Sequence, residues 1–102
     1  MGYRANVITK HPDYGSQTFS DWTEFDTNFI PALTDFGVDV EEDISQSFYD
    51  VEKDELQGYV KSLPVNEDPS AAYPTYTNVE LIEVLQTAIN ESKDTWVSWE
   101  WF

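Results

Sequence analysis

The sequence predicts an α+β fold: an antiparallel sheet of about four strands with two to three helices packed on one face. Two observations predict it. Short segments place apolar residues at every second position, which is typical of strands, and longer segments place them three and four residues apart, which is typical of helices. Each helical stripe of apolar residues can then cover the apolar face of a strand. We expect the 102 residues to form a single domain, 1–102, large enough to bury its own core.

The predicted strands alternate apolar with polar residues or are rich in β-branched and aromatic residues. They are residues 3–10, 38–43, 47–52 and 95–102. Residues 11–19 contain several turn-forming residues and are predicted to be a loop. A continuous helix over residues 44–63 competes with the third strand, because Ile44, Phe48 and Val51 are helically spaced.

The predicted helices have an apolar stripe along one side and cover residues 21–36, 53–63 and 78–92. The third begins at a capping box of Thr77 and Glu80, in which each side chain accepts a hydrogen bond from a free backbone amide of the other residue. Gly37 is placed to end the first helix in the left-handed conformation. Pro31 cannot donate a backbone hydrogen bond, so we expect a kink or an early end near residues 29–31.

The charge of the chain is strongly acidic and unevenly distributed. Twenty acidic and five basic residues give a formal net charge of −15, and His11 to Glu52 holds eleven Asp or Glu residues with no Lys or Arg. Such a charge repels nucleic acid and anionic membranes, so we expect a basic protein as the partner. A face that serves solubility alone is the competing interpretation, although such a surface normally mixes both signs.

The segment 38–55 carries eight carboxylates, with Lys53 as its only cation. If its valines face the core, alternate carboxylates line the opposite face at roughly 6.5 to 7 Å, similar to the spacing of successive phosphates along a nucleic-acid strand. The predicted partner-binding residues are Asp39, Glu41, Glu42, Asp43, Asp50, Glu52, Asp54 and Glu55. The centre of this surface is predicted to be a two-row patch on neighbouring strands, made of Asp39, Glu41, Asp43, Asp50 and Glu52.

Aromatic residues are the second set of candidate contacts, since exposed aromatic side chains often dominate binding energy. Residues 65–77 form the longest irregular segment and are predicted to be a loop. Trp99 and Trp101 are predicted to face the core from the last strand. The secondary partner-binding candidates are Tyr73 and Tyr76 in the loop and Trp96 and Phe102 at the chain end.

Six residues have the spacing of the calcium ligands in an EF-hand loop: Asp39, Glu41, Asp43, Ser45, Ser47 and Asp50. However, Ile44 occupies the position that needs glycine for a sharp turn, and Asp50 stands where the loop uses a longer bidentate glutamate. We therefore predict no metal site, with calcium binding as the minor alternative.

The chain has no cysteine and one histidine. The absence of cysteine excludes disulfides, thiolate catalysis and Cys-bound zinc, and it fits the reducing cytoplasm. No apolar run has the length of a signal peptide or a membrane span, so no membrane role is expected. Because the chain also lacks a nucleophile motif and a phosphate-binding glycine loop, we expect neither enzymatic activity nor a cofactor.

The VDVEED and YDVEKDE runs, the opening MGYRANVITK and the small size give the chain a resemblance to a class of phage and mobile-element proteins. These are the small, acidic, cysteine-free inhibitors of bacterial defence nucleases, including DNA-mimicking anti-CRISPR and anti-restriction proteins. The resemblance implies a stoichiometric inhibitor that occupies a basic nucleic-acid channel in the bacterial host cytoplasm. An acidic immunity protein or antitoxin that neutralises a basic toxin is the alternative. An acidic structural or adaptor module is a third hypothesis.

Overall fold

A computed structural model of the protein describes residues 5–8, 14–19, 22–43, 48–92 and 95–101. These residues form an α+β fold, which confirms the predicted class. The strands are β1 Ala5–Ile8, β2 Tyr14–Phe19, β3 Val40–Asp43, β4 Phe48–Glu52 and β5 Trp96–Trp101. They form one antiparallel sheet in the order β2-β1-β5-β4-β3.

The sheet therefore has five described strands, where about four were predicted. The additional strand is β2, which lies inside the segment predicted to be a loop. Its pairing with β1 is irregular, with shifts of register between Ala5 and Asn6 and between Asn6 and Ile8. Bulged pairing of this kind tolerates glycine and serine, so the turn formers Gly15 and Ser16 do not prevent a strand here.

The described residues contain three helices, as predicted. The first covers residues 22–36, the second is Lys53–Ser62 and the third is Asn78–Glu91. Because Phe48–Glu52 is a strand and the second helix starts only at Lys53, a continuous helix over residues 44–63 is excluded. None of the described helices is long and apolar enough to cross a membrane.

The first helix does not end at Pro31 but changes its winding just before it. Its middle, Phe25–Phe29, is a π-helix, and the amide of Ile30 donates to the carbonyl oxygen of Phe25. A proline ring collides with the carbonyl four residues earlier in an α-helix, and the wider π turn relieves this collision. Of the predicted kink or early end, the early end is wrong, because the helix continues as Ile30–Phe36, and the irregularity near Pro31 is the π-helical turn.

Gly37 ends the first helix as predicted, with φ of 103° in the left-handed region. Its amide donates to the carbonyl oxygens of Leu33 and Thr34, both at 3.1 Å, and the next amide, of Val38, donates to that of Leu33 at 3.0 Å. This is the Schellman pattern, which requires a residue that tolerates positive φ. It turns the chain directly into the acidic segment.

The core lies between the helices and one face of the sheet. Tyr49 and Val51 of β4 and Trp99 of β5 are buried on this face, and the aromatic rings of Phe25 and Phe29 cover it. The ring centroid of Trp99 lies 5.6 Å from that of Phe25 and 6.2 Å from that of Phe29. The predicted core position of Trp99 is therefore confirmed. The side chain of Trp101 lies outside the described residues.

The helices complete the core with one apolar side each: Leu33 from the first, Leu56, Tyr59 and Val60 from the second, and Leu81, Leu85, Ala88 and Ile89 from the third. Strand side chains alternate, so Asp50 and Ser98 point away from the buried Tyr49 and Trp99. We call the sheet face that bears Asp50 and Ser98 the outer face.

Candidate acidic interaction surface

The register of β3 against β4 determines where the predicted carboxylates lie. Val40 pairs with Val51, and Glu41 pairs with Asp50. Since Val51 is buried, the side chains of Glu41 and Asp50 point to the outer face. Directly opposed residues on neighbouring strands have Cβ atoms about 4.5 to 5.5 Å apart. The two carboxylates are therefore neighbours with like charge.

A second pair continues this arrangement towards the second helix. The amide of Glu52 donates to the carbonyl oxygen of Asp39 at 3.0 Å, so Asp39 and Glu52 face each other one step beyond the paired residues Val40 and Val51. Alternation places both residues on the same side as Glu41 and Asp50. The four residues form two rows on neighbouring strands, roughly 6.5 to 7 Å apart along each strand.

β5 borders the rows on one side and fixes one of the carboxylates. Asp50 pairs with Ser98, and the Ser98 hydroxyl donates a hydrogen bond to Asp50 Oδ1. Glu52 pairs with Trp96, whose side chain is half-buried. The acidic rows therefore end at a partly exposed indole ring.

Two of the predicted contact carboxylates also stabilise the fold. Glu52 Oε2 accepts a hydrogen bond of 2.7 Å from the amide of Glu55, which makes Glu52 the N-cap of the second helix. Glu55 Oε1 in turn accepts one of 2.8 Å from the amide of Asp39. Asp54 and Glu55 lie in the first helical turn, where the positive end of the helix dipole favours negative charge. Three of the eight acidic residues, Glu52, Asp54 and Glu55, thus stabilise the second helix or its connection to Asp39.

Glu42 and Asp43 differ from the two rows. Glu42 pairs with Tyr49, so it belongs to the opposite face of the strand from Glu41, and it is exposed. The backbone of Asp43 pairs with that of Phe48, and its side chain lies outside the described residues. Of the five predicted central residues, the structure brings four together on the outer face and leaves the side chain of the fifth undescribed.

Lys53, the only cation of the segment, is directed elsewhere. Its Nζ donates to the carbonyl oxygen of Ser92 at 2.8 Å. Ser92 is the C-cap of the third helix, where a positive charge interacts favourably with the helix dipole. The lysine thus binds the end of a helix instead of the carboxylates of the outer face.

The predicted aromatic contacts do not form one surface. Tyr73 is 1% exposed and belongs to the core, so it is not a surface contact in this fold. Tyr76 is half-buried with its ring centroid 5.3 Å from that of Tyr73, and burial, with contributions from Tyr73 and Glu80, raises the pKa of Tyr76. Trp96 remains a candidate, and Phe102 lies outside the described residues.

The burial of Tyr73 has a local cause that composition does not show. The buried hydroxyl of Ser70 accepts hydrogen bonds from the amides of Ala72 and Tyr73 at 3.2 and 3.3 Å. The amide of Ser70 donates to the carbonyl oxygen of Tyr76 at 2.8 Å, and the amide of Asn78 donates to that of Asp68 at 2.8 Å. The segment is therefore a closed, internally bonded loop that packs one tyrosine into the core.

A groove of about 490 Å³ lies between the first helix and this loop, and no pattern in the sequence indicated it. Asn28, Pro31 and Asp35 line it from the helix, and Tyr59 and Pro69 from the other side. Among the described residues, Asp35 is the only carboxylate in its lining. The described lining thus contains one carboxylate and no histidine, and these side chains do not form an acid–base pair.

The EF-hand alternative does not fit the structure. An EF-hand ligand set wraps a single loop around the ion, whereas Val40–Asp43 and Phe48–Glu52 pair as antiparallel strands. Among the side chains that the structure describes, which do not include those of Asp43, Ser45 and Ser47, no three His, Asp or Glu groups converge as a possible metal site.

The capping role of Glu52 leads to a stability prediction. We expect Glu52→Ala to lower the free energy of unfolding by about 0.5 to 2 kcal/mol, because the Glu55 amide loses its acceptor. Glu52→Asp is the control, since aspartate is a strong N-cap, and it should unfold like the wild type. Urea denaturation of the three proteins measures the difference. An alanine variant as stable as the wild type would contradict this prediction and would mean that the repulsion between Glu52 and Asp39 is as large as the stabilisation by the cap.

The outer face of the described sheet carries two candidate binding features side by side. Four carboxylates lie in two rows on the outer face of the sheet, and the aromatic side chain of Trp96 lies at the end of the rows. An array of this kind can attract and orient a cationic surface. No protein-family model, curated protein or solved structure matches the chain.

Proposed function

We propose that the protein is an acidic phage-type inhibitor that binds the basic nucleic-acid-binding surface of a bacterial defence nuclease. It acts as an anti-CRISPR or anti-restriction protein in the host cytoplasm and blocks DNA access by nucleic-acid mimicry. The proposal needs a surface whose negative charges have a fixed spacing, because a mimic must match a groove that normally holds phosphates. The two acidic rows supply such a surface.

The observation that carries the proposal is the direct opposition of Glu41 and Asp50. Like charges directly opposite each other on neighbouring strands destabilise a sheet. A protein that used its acids only for solubility would not need to place two of them in this position, since any exposed site would serve. The repulsion between Glu41 and Asp50 destabilises the free protein, and a cationic partner that lies against both rows would relieve it.

The mode of binding predicts a strong dependence on salt. If carboxylates replace phosphates in a basic groove, the affinity for the nuclease should fall about tenfold or more between roughly 0.1 and 0.5 M NaCl, through screening and loss of electrostatic steering. Surface plasmon resonance against a panel of purified defence nucleases would measure this, with target DNA as competitor. DNA and the protein should exclude each other from the nuclease.

The second candidate is an acidic immunity protein or antitoxin that neutralises a basic toxin. The half-buried Trp96 beside Glu52 favours it, because an aromatic anchor in a partner pocket is typical of tight protein–protein interfaces. In that case the affinity should depend weakly on salt and strongly on Trp96. A complex that survives about 0.5 M NaCl, where charge screening is nearly complete, and excess DNA would therefore contradict nucleic-acid mimicry.

A further inference from the structure

The outer edge of β3 has backbone groups that no described strand satisfies. β3 is the last strand in the order β2-β1-β5-β4-β3. In an antiparallel ladder, every second residue directs its N–H and C=O to one neighbour and the residues between them direct theirs away.

Two hydrogen bonds at the end of the ladder show which residues of β3 direct their backbone groups outward. The amide of Glu52 donates to the carbonyl oxygen of Asp39 at 3.0 Å, and the amide of Lys53 donates to that of Thr95, on the β5 side, at 2.9 Å. Glu52 thus faces β3 and Lys53 faces β5. By alternation, Glu41 bonds towards Asp50, so the outward-directed residues of β3 are Val40 and Glu42.

We propose that this edge, the outward N–H and C=O groups of Val40 and Glu42, binds an extended basic segment of the partner as an additional antiparallel strand. The inference rests on the proposed function and specifies how part of the partner is held. Open strand edges are natural templates for pairing with another chain, and strand addition is a common mode of peptide recognition.

Charge selects the occupant. Glu41 and Glu42 are both exposed on this four-residue strand, and Asp39 precedes it. Antiparallel pairing with β3 of a second copy would place carboxylates against carboxylates, which disfavours a homodimer through this edge. A segment with Lys or Arg side chains on the outer face would instead place them beside Glu41 and Asp39. The same acids therefore repel a second copy and attract a basic strand.

The faces of β3 define a pattern for that segment. The residue beside Glu41 lies on the outer face, next to the acidic rows, and should be cationic. The residue beside Val40 lies on the core side, against a half-buried valine, and should be apolar. The residues beside Val40 and Glu42 are also the ones whose backbone groups bond to the edge. The edge thus selects an extended segment in which basic and apolar residues alternate.

The test uses a peptide of alternating Lys and Val, about eight residues long to match the span of a short strand, and two methylated forms of it with the same charge. Methylation of the valine amides removes the N–H groups directed at β3, and methylation of the lysine amides removes those directed at solvent. We expect at least about tenfold weaker binding for the first form and little change for the second, since main-chain hydrogen bonds supply the affinity in strand addition. Binding should also slow hydrogen exchange of the Val40 and Glu42 amides about tenfold or more.

A matched pair of protein variants isolates the edge amide. Glu42→Pro removes an outward N–H and leaves the β3–β4 ladder, since proline is tolerated on edge strands when its nitrogen faces solvent. Glu42→Gln loses the same charge but keeps the N–H. We expect Glu42→Pro to bind the unmodified peptide about tenfold more weakly than Glu42→Gln. Circular dichroism verifies that both variants are folded. If the proline variant unfolds, the binding of the methylated peptides to the wild type tests whether the β3 edge pairs with the segment.

Several outcomes would overturn edge pairing. Equal binding by both methylated peptides and the parent would show charge attraction alone, which leaves the proposed acidic surface intact. Equal loss by both, or no binding of the parent at about 20 mM salt, would show that no strand is added. Sedimentation of a dimer with slow exchange at Val40 and Glu42 would identify a second copy as the occupant. The proposed function itself is tested separately, by the competition between the protein and target DNA for the nuclease.

Discussion

A variant with Asp39→Asn, Glu41→Gln and Asp50→Asn is expected to bind its partner about tenfold more weakly for each charge removed. A strong interfacial charge pair contributes about 1.5 kcal/mol or more, which corresponds to roughly a factor of ten in affinity. These three carboxylates are chosen because they lie in the two rows and none of them caps a helix. The asparagine that replaces Asp50 keeps an oxygen that can accept from the Ser98 hydroxyl, so the local structure should persist.

The same variant is expected to be as stable as the wild type or slightly more stable. Removing the repulsion between Glu41 and Asp50 should contribute about 0.2 to 1 kcal/mol to the free energy of unfolding. Binding and stability should therefore change in opposite directions, which a purely solubilising surface does not predict. Thermal melts measure the change in stability, and surface plasmon resonance against the nuclease that binds the wild type measures the change in affinity.

The matched control removes three charges elsewhere: Asp35→Asn, Glu67→Gln and Glu83→Gln. These carboxylates are exposed on the first helix, the closed loop and the third helix, away from the outer face. The control variant has the same net charge as the test variant and should keep most of the affinity. Equal weakening of binding by the two variants would show that overall charge, not the two acidic rows, holds the partner.

Trp99→Ala is expected to have the largest effect on stability, lowering the free energy of unfolding by about 3 to 5 kcal/mol. The ring is 0% exposed, belongs to the central strand of the sheet and contacts Phe25 and Phe29. Alanine would lose this buried area and leave a cavity that the rigid sheet cannot close. Because small domains have about 5 to 15 kcal/mol in total, the variant should be close to unfolding at physiological temperature.

Trp96→Ala is the internal control for this prediction, because it lies on the same strand and points to the outer face. It should cost less than about 1.5 kcal/mol, since its side chain is only half-buried and leaves no closed cavity. Urea denaturation followed by circular dichroism compares the two variants. Similar losses for both would mean that the outer face is itself packed against something and is not an open surface.

The local elements of this protein could be predicted because near neighbours determine them. The capping box of Thr77 and Glu80 is present with both of its hydrogen bonds, and Gly37 has the positive φ that its position after a helical stripe indicated. The alternation of Val40 with Glu41 correctly separated a core face from an acidic face. Periods of two and of three to four residues encode these features within a few positions of the chain.

The order of the strands in the sheet could not be predicted from the sequence. No local pattern indicates that the last strand lies at the centre of the sheet or that β3 lies at its edge, since strand order depends on contacts between distant segments. The Glu52 carboxylate caps the second helix and the Glu55 carboxylate accepts from the Asp39 amide, so two charges predicted as contacts join the acidic segment to the start of that helix. Tyr73 is buried in a loop that the Ser70 hydroxyl closes, whereas the composition of residues 65–77 predicted a loop and left open whether its tyrosines pack onto the body or contact a partner. Short-range periodicity thus indicated which residues share a face of a helix or strand, whereas the faces and edges that stay open depend on which distant segments pack against them.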